Sequence, residues 1–191
     1  MKDLEMRGAG NLLGPEQSGH IHAVGFDLYV EMLENAVAEI KGLEVREEVE
    51  PSISLKLSAL IPEAYIEDMT LRLSIYRRIA GAKKLEELED IASEMKDRFG
   101  NLPDEVKGIL EIMRLKIMAR RIAIAGISET DRKVRIVFSK ENPVEPERIL
   151  SLHETFPSVR FHKDGVEIGV KGLSGDETCR EIQRVMQRLS L

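Results

Sequence analysis

The apolar positions of this 191-residue chain change period several times, and each change marks an element. From Val24 to about Lys41, Leu28, Met32, Leu33, Val37 and Ile40 recur near helical spacing, with Glu31, Glu34 and Glu39 opposite. That pattern predicts a helix, and Gly42 stands where a glycine commonly ends one. The charged run from Gly42 to Ser52 contains Pro51 and reads as a linker. Ser52 to Leu57 (SISLKL) alternates, which predicts a strand, and Pro62 breaks the run that follows. A helix is predicted over Asp68–Ala82, with Leu71, Ile75 and Ile79 on one face and Arg72 and Tyr76 on a neighbouring one. Another spans Lys84–Phe99, where Leu85, Leu88, Ala92, Met95 and Phe99 form a stripe closed by Gly100. Pro103 opens the next, and Asp104 and Glu105 suit its positive end. It carries Val106, Leu110, Met113, Ile117 and Ile124 and is expected to stop at Gly126.

The last third changes character. Lys133 to Ser139 is predicted as a strand and Pro146 to Thr155 as a short helix. Val159–His162 and Val166–Val170 read as a hairpin joined by Lys163-Asp164-Gly165, and Thr178–Leu189 as a final helix. The fold class is therefore α+β. A glycine-rich segment (1–26) precedes a linker helix and linker (27–51). The remainder, 52–191, is a helix-rich subdomain to about Ile124 followed by a small α/β subdomain.

Composition narrows the function classes. Hydrophobic residues make up 42% of the chain, enough for a core. Tryptophan is absent and aromatics are 4%, so that core must be aliphatic. A net charge of −6 argues against a general nucleic-acid binder, which usually carries a basic surplus. The single cysteine, Cys179, excludes an internal disulfide framework and suits a reducing compartment. No apolar run approaches the roughly 18 residues a membrane span needs, and MKDLEMRG has no apolar signal region. A cytoplasmic protein without membrane contact is expected.

One stretch does not read as part of a free-standing domain. Met6 to Phe26 holds five of the 14 glycines with few large apolar groups. Such a segment needs another body to lie against. Arg7-Gly-Ala-Gly-Asn-Leu-Leu-Gly-Pro-Glu-Gln17-Ser-Gly resembles the R-G-x-G-x-L-G-x-x-Q-S-G signature near the end of RecG-like translocase motors. Continued through Gly25-Phe26-Asp27-Leu28-Tyr29, it is more similar to the bacterial transcription-repair coupling factors (Mfd). Leu60-Ile61-Pro62, Arg72-Leu-Ser-Ile-Tyr76-Arg-Arg-Ile-Ala and Asp97-Arg-Phe-Gly100-Asn-Leu-Pro103 resemble the C-terminal domain of that family. The resemblance runs from Lys2 to about Phe138 and weakens beyond.

The resemblance implies a C-terminal piece of a larger machine, beginning just inside its motor. The intact protein would use ATP and magnesium to move on duplex DNA, displace stalled RNA polymerase and recruit excision repair through UvrA. The C-terminal domain would dock on the UvrB-like N-terminal module of the same protein and mask the UvrA-recruiting surface. Arg7, Gly8, Gly10, Gly14 and Gln17 match the motif that couples hydrolysis to translocation. Glu94 and Asp97 match acidic docking positions. The piece itself would need no cofactor and catalyse nothing.

The residues themselves support several of these points. Arg7 and Gln17 on a glycine-rich turn can exchange partners at small backbone cost, although a water-satisfied polar loop has the same composition. Gly8, Gly10 and Gly14 form GxGxxxG, one residue too long for a dinucleotide fingerprint and without a preceding strand. No G-x-x-x-x-G-K-[ST] phosphate cradle occurs. Glu87, Asp90, Glu94 and Asp97 fall along one side of the Lys84–Phe99 helix. They read either as a solvated face or as a docking surface for a basic partner, where charge sets register more than affinity. Lys107, Arg114 and Arg121, with Lys116, Arg120, Arg132, Lys133 and Arg135, offer the alternative of a nucleic-acid-binding accessory domain, or else a face that pairs with the acidic helix. That run has no aromatic interleaving for base stacking. His20, His22, His153 and His162 lack zinc spacing, and Cys179 reads as packing. Without a catalytic motif, an uncharacterised enzyme ranks last. Limited proteolysis is expected to cut first before about Val24 and within Gly42–Pro51, leaving a stable core; early cuts inside the core would contradict this organisation.

Overall fold

A computed structural model describes residues 50–140 and 142–190. The predicted helix from Val24, the linker up to residue 49 and the motif residues Arg7, Gly8, Gly10, Gly14 and Gln17 lie outside them. Chain order is β1 (Ser52–Ser54), α1 (Met69–Ala80), α2 (Leu85–Phe99), α3 (Asp104–Arg121), β2 (Ile124–Thr130), β3 (Lys133–Phe138), α4 (Pro146–Thr155), β4 (Arg160–His162), β5 (Gly165–Gly169) and α5 (Gly175–Ser190). The class is α+β, as expected.

The strands form one mixed sheet in the order β1-β2-β3-β5-β4. β1 runs parallel to β2, and the other neighbours are antiparallel. Ile53, Ile127, Ile136 and Val166 pair in a row across four strands, and all are 1% exposed or less. The neighbouring row, Ser54, Ser128, Arg135, Glu167 and Arg160, is polar. One face is thus packed and the other wetted, as in many antiparallel sheets.

α3 crosses the centre. Val106, Gly108–Leu110, Ile112, Met113, Leu115–Ile117 and Ala119 are all buried, so most of its circumference is covered. It packs on α1, α2, α5, β1 and β2. A single cluster of buried side chains runs from Ile53 in β1 to Leu189 in α5, so the helix-rich and sheet-rich regions share one core.

Three element boundaries differ from expectation by three residues or more, each for a local reason. The strand from Ser52 ends at Ser54 rather than Leu57. Lys56 N donates to the Glu129 carboxylate (2.9 Å) and Leu57 N turns back to Leu55 O (2.9 Å), which takes both donors out of the ladder. The helix expected to reach Gly126 stops at Arg121, and Ile124–Thr130 is a strand. Ala123 adopts a positive φ of 48°, which breaks the helix. A bulge between Ile124 and Gly126 then puts Ile124 and Ile127 on the same face at a three-residue spacing that mimics a helix. The last helix starts at Gly175 rather than Thr178. Ser174 and Glu177 cap it reciprocally, Glu177 N donating to Ser174 Oγ (3.3 Å) and Ser174 N to the Glu177 carboxylate (2.8 Å).

Gly108 lets the Leu57–Ser58 segment cross α3 closely, for a Cβ there would lie 2.1 Å from Ser58 O. Alanine in a helix interior normally gains about 1 kcal/mol over glycine. The obstructing atom here is backbone, and overpacking of this kind costs about 1–3 kcal/mol. Gly108→Ala is therefore expected to destabilise the chain in urea unfolding; a stabilised variant would show that the crossing yields freely.

Candidate docking surface on α2

α2 presents the acidic residues, and its ends are fixed by specific contacts. Lys84 supplies no side-chain cap, but Glu87 reaches back to accept from Lys83 N (2.8 Å). Gly100 ends the helix with a φ of 88°. Tyr65 Oη lies 3.0 Å from both Met95 O and Gly100 O, and its ring meets Phe99 edge-on at 5.9 Å. Leu88, Ile91 and Met95 hold the inner side in the core.

The four carboxylates share one side but have different surroundings. Glu87 is exposed and engaged by the Lys83 backbone. Glu94 bridges two guanidinium groups, accepting from Arg78 Nη2 of α1 (2.6 Å) and from Arg98 Nη1 one turn on (2.7 Å). The hydrogen bond from Arg78, then that from Arg98, hold its carboxyl down to about 2, and the same contact raises Arg78. Asp90 and Asp97 are exposed and have no hydrogen bond or ion pair among the described residues. The stripe is therefore one capping group, one bridged group and two carboxylates open to a partner.

Two contributors had escaped notice. Glu86 is exposed four residues before Asp90, a spacing the sequence does show. Arg78 acts from another helix, sixteen residues from Glu94, and no local pattern announces that pairing.

The basic run does not gather into one face. Lys107 pairs with Asp104 (2.7 Å), Lys133 with Glu167 (2.7 Å) and Arg135 with Asp164 (2.6 Å). Arg120 pairs with Glu50. Arg114 lies 3.7 Å from Glu89 of α2 and 3.4 Å from Glu111, so α3 does pair with the acidic helix. Lys116 is 5% exposed and belongs to the interior. Among the described residues no group of His, Cys, Asp and Glu can hold a metal ion, and no helix is long and apolar enough to cross a membrane. His20 and His22 lie outside those residues. Cys179 is buried against the core, and desolvation pushes its thiol up to about 12, which leaves it unreactive.

Glu94 makes stability depend on acidity. Its carboxyl titrates at about 2 in the folded chain against an ordinary value of 4.5. A depressed carboxyl stabilises the fold fully above the unfolded value, and the contribution disappears as pH falls through the folded value. Glu94→Gln is expected to be less stable than the parent chain at pH 7 in urea titrations. The difference should close between about 4.5 and about 2; a pH-independent difference would contradict the bridged geometry.

Comparison with known proteins places these features. Residues 55–149 match the model of the TRCF domain. The chain is 40% identical over 168 residues to the transcription-repair-coupling factor of Escherichia coli K12, covering 85% of this chain and 14% of that protein. Identity is 36% over 191 residues with that of Myxococcus xanthus (98% and 16%) and 37% over 185 with that of Bacillus subtilis (93% and 16%). The chain thus spans about one-sixth of these relatives' length or slightly less. A crystal structure of the C-terminal domain of a transcription-repair coupling factor shares the fold, with a TM-score of 0.66 and 22% identity over 76% of this chain and 95% of that one. Motif, fold and aligned relatives agree: the chain carries a TRCF domain and belongs to the family of transcription-repair coupling factors.

Proposed function

We propose that residues 52–191 form an autoinhibitory protein-interaction domain that docks on the UvrB-like N-terminal module of its own protein and masks recruitment of UvrA. The observation that carries this reading is the pair Asp90 and Asp97, exposed and unpartnered among the described residues on a helix seated by Leu88, Ile91 and Met95 and tied to α1 through Glu94 and Arg78. Carboxylates held on a rigid, core-packed helix have lost little freedom still to be surrendered on binding. Charge there sets partner and register.

In this reading residues 1–26 end the translocation motif of a motor and 27–51 link it to the domain. The intact protein, cytoplasmic, is an ATP-dependent DNA translocase that displaces stalled RNA polymerase. ATP and magnesium are assigned in this reading to that motor. The domain contributes regulation by contact and no chemistry of its own. The Myxococcus xanthus alignment covers 98% of the chain, which supports reading the glycine-rich stretch and the domain as one continuous part of the family.

The test is calorimetric titration of the chain with its N-terminal module. Asp97→Lys combined with Asp90→Lys is expected to weaken binding at least about tenfold, equivalent to about 1.4 kcal/mol of binding free energy. Glu94→Arg alone should weaken binding and also loosen α1 from α2. Equal affinity of the Asp90/Asp97 variant and the parent chain would refute the surface.

A further inference from the structure

A cleft of about 350 Å³ opens at the sheet end remote from β1, lined by Arg132, Lys133, Ser158, Arg160, Glu167 and Lys171 among others. We propose that it binds the phosphodiester backbone of a nucleic acid without regard to sequence. Only Arg132 and Lys133 belong to the basic run read from the sequence. Arg160 and Lys171 join them through the topology.

The fold assembles these cations from three places. Arg132 occupies the β2–β3 turn, and its carbonyl accepts from Val170 N (2.8 Å), which holds the start of the segment carrying Lys171 against that turn. Lys133 opens β3 and pairs in register with Gly169 of β5. Arg160 opens β4 opposite Glu167, on the wetted face of the sheet. Ser158 closes the rim, its Oγ accepting from Gly169 N (3.3 Å).

Glu167 is the one acid in the lining, and Lys133 Nζ is already 2.7 Å from it. The hydrogen bond from Lys133 keeps this carboxyl below its ordinary value, with His162 and Arg160 adding in the same direction. Arg132 and Lys171 have no acidic partner among the described residues, and Arg160 faces Glu167 across the strands without an ion pair or hydrogen bond to it, unlike Lys107, Arg120 and Arg135. Four cations and one carboxylate leave the lining at +3 in a chain of net charge −6.

The lining also selects the class of polyanion. An acidic peptide needs buried apolar or aromatic anchors to exceed its ordering cost. Here the apolar lining is Pro157 and the already buried Val159, while Phe161 lies in register with the packed row. A phosphate backbone binds by charge and counterion release alone, and arginine forks match phosphate oxygens. With no aromatic ring in the lining, bases have nothing to stack on. The net negative charge of the whole chain keeps the association weak and salt-sensitive.

Anisotropy of a labelled duplex of arbitrary sequence, titrated with the 191-residue chain at several low salt concentrations, tests this. Binding should weaken with salt, the logarithmic slope changing by about −0.9 per phosphate contact. Arg160→Gln with Lys171→Gln should reduce the slope by about two and lower affinity at least about tenfold at the lowest salt. Arg77→Gln with Lys96→Gln removes the same charge elsewhere, at exposed positions outside the basic run, and should leave affinity within about twofold of the parent chain. Circular dichroism confirms that each variant is folded. The proposal is overturned by any of three results: no binding by the parent chain, equal losses in the two double variants, or displacement of duplex by polyglutamate as effective as by unlabelled duplex.

Discussion

The covering of α3 is the constraint on which the rest depends. A helix with apolar side chains around most of its circumference must be enclosed. α1 and α2 cover it from one side, α5 from another, and the sheet edge formed by β1 and β2 completes the enclosure. The approach of the Leu57–Ser58 segment at Gly108 closes the remaining gap. The proposed docking surface sits on the outside of this enclosure, where position is set by packing beneath. The acidic side chains of α2 inherit their orientation from Leu88, Ile91 and Met95, which occupy the core.

That dependence explains what could be read from the sequence. α1, α2 and α4 announce themselves through apolar spacing and end signals such as Asp68, Gly100 and Pro146, and their observed limits follow closely. The last helix had a legible start as well, since Ser174-Gly-Asp-Glu177 is a capping box. β2 was illegible because its bulge counterfeits the helical period just where a true helix ends. Nothing local shows that Ala123 takes a left-handed conformation. The pairing of β1 with β2 joins Ile53 to Ile127, and contacts across seventy or more residues leave no trace in a local pattern.

The candidate site divides in the same way. The i, i+3, i+7, i+10 spacing placed four carboxylates on one side of α2, and that helix forms as expected. Their separate duties were not visible, because each duty depends on a neighbour elsewhere: the Lys83 backbone for Glu87, Arg78 for Glu94. Glu94 thereby ties α2 to α1 within the proposed surface, and its substitution would confound packing with docking. Asp90 and Asp97 carry no such double role among the described residues. The basic run shows the converse, since residues adjacent in sequence were distributed over an interior position, several ion pairs and a cleft.

β1 has a mechanical consequence. It is a three-residue edge strand, and the chain reaches it directly from Glu50, which is clasped to Arg120 at the end of α3. Traction applied upstream of Ser52 therefore loads this clasp, and through Arg120 the end of α3, together with three ladder positions of β1. Peeling β1 away would strip Ile53 from Ile127 and open the enclosure at its thinnest wall, while α2 with its carboxylates kept its seat on α1 and α3.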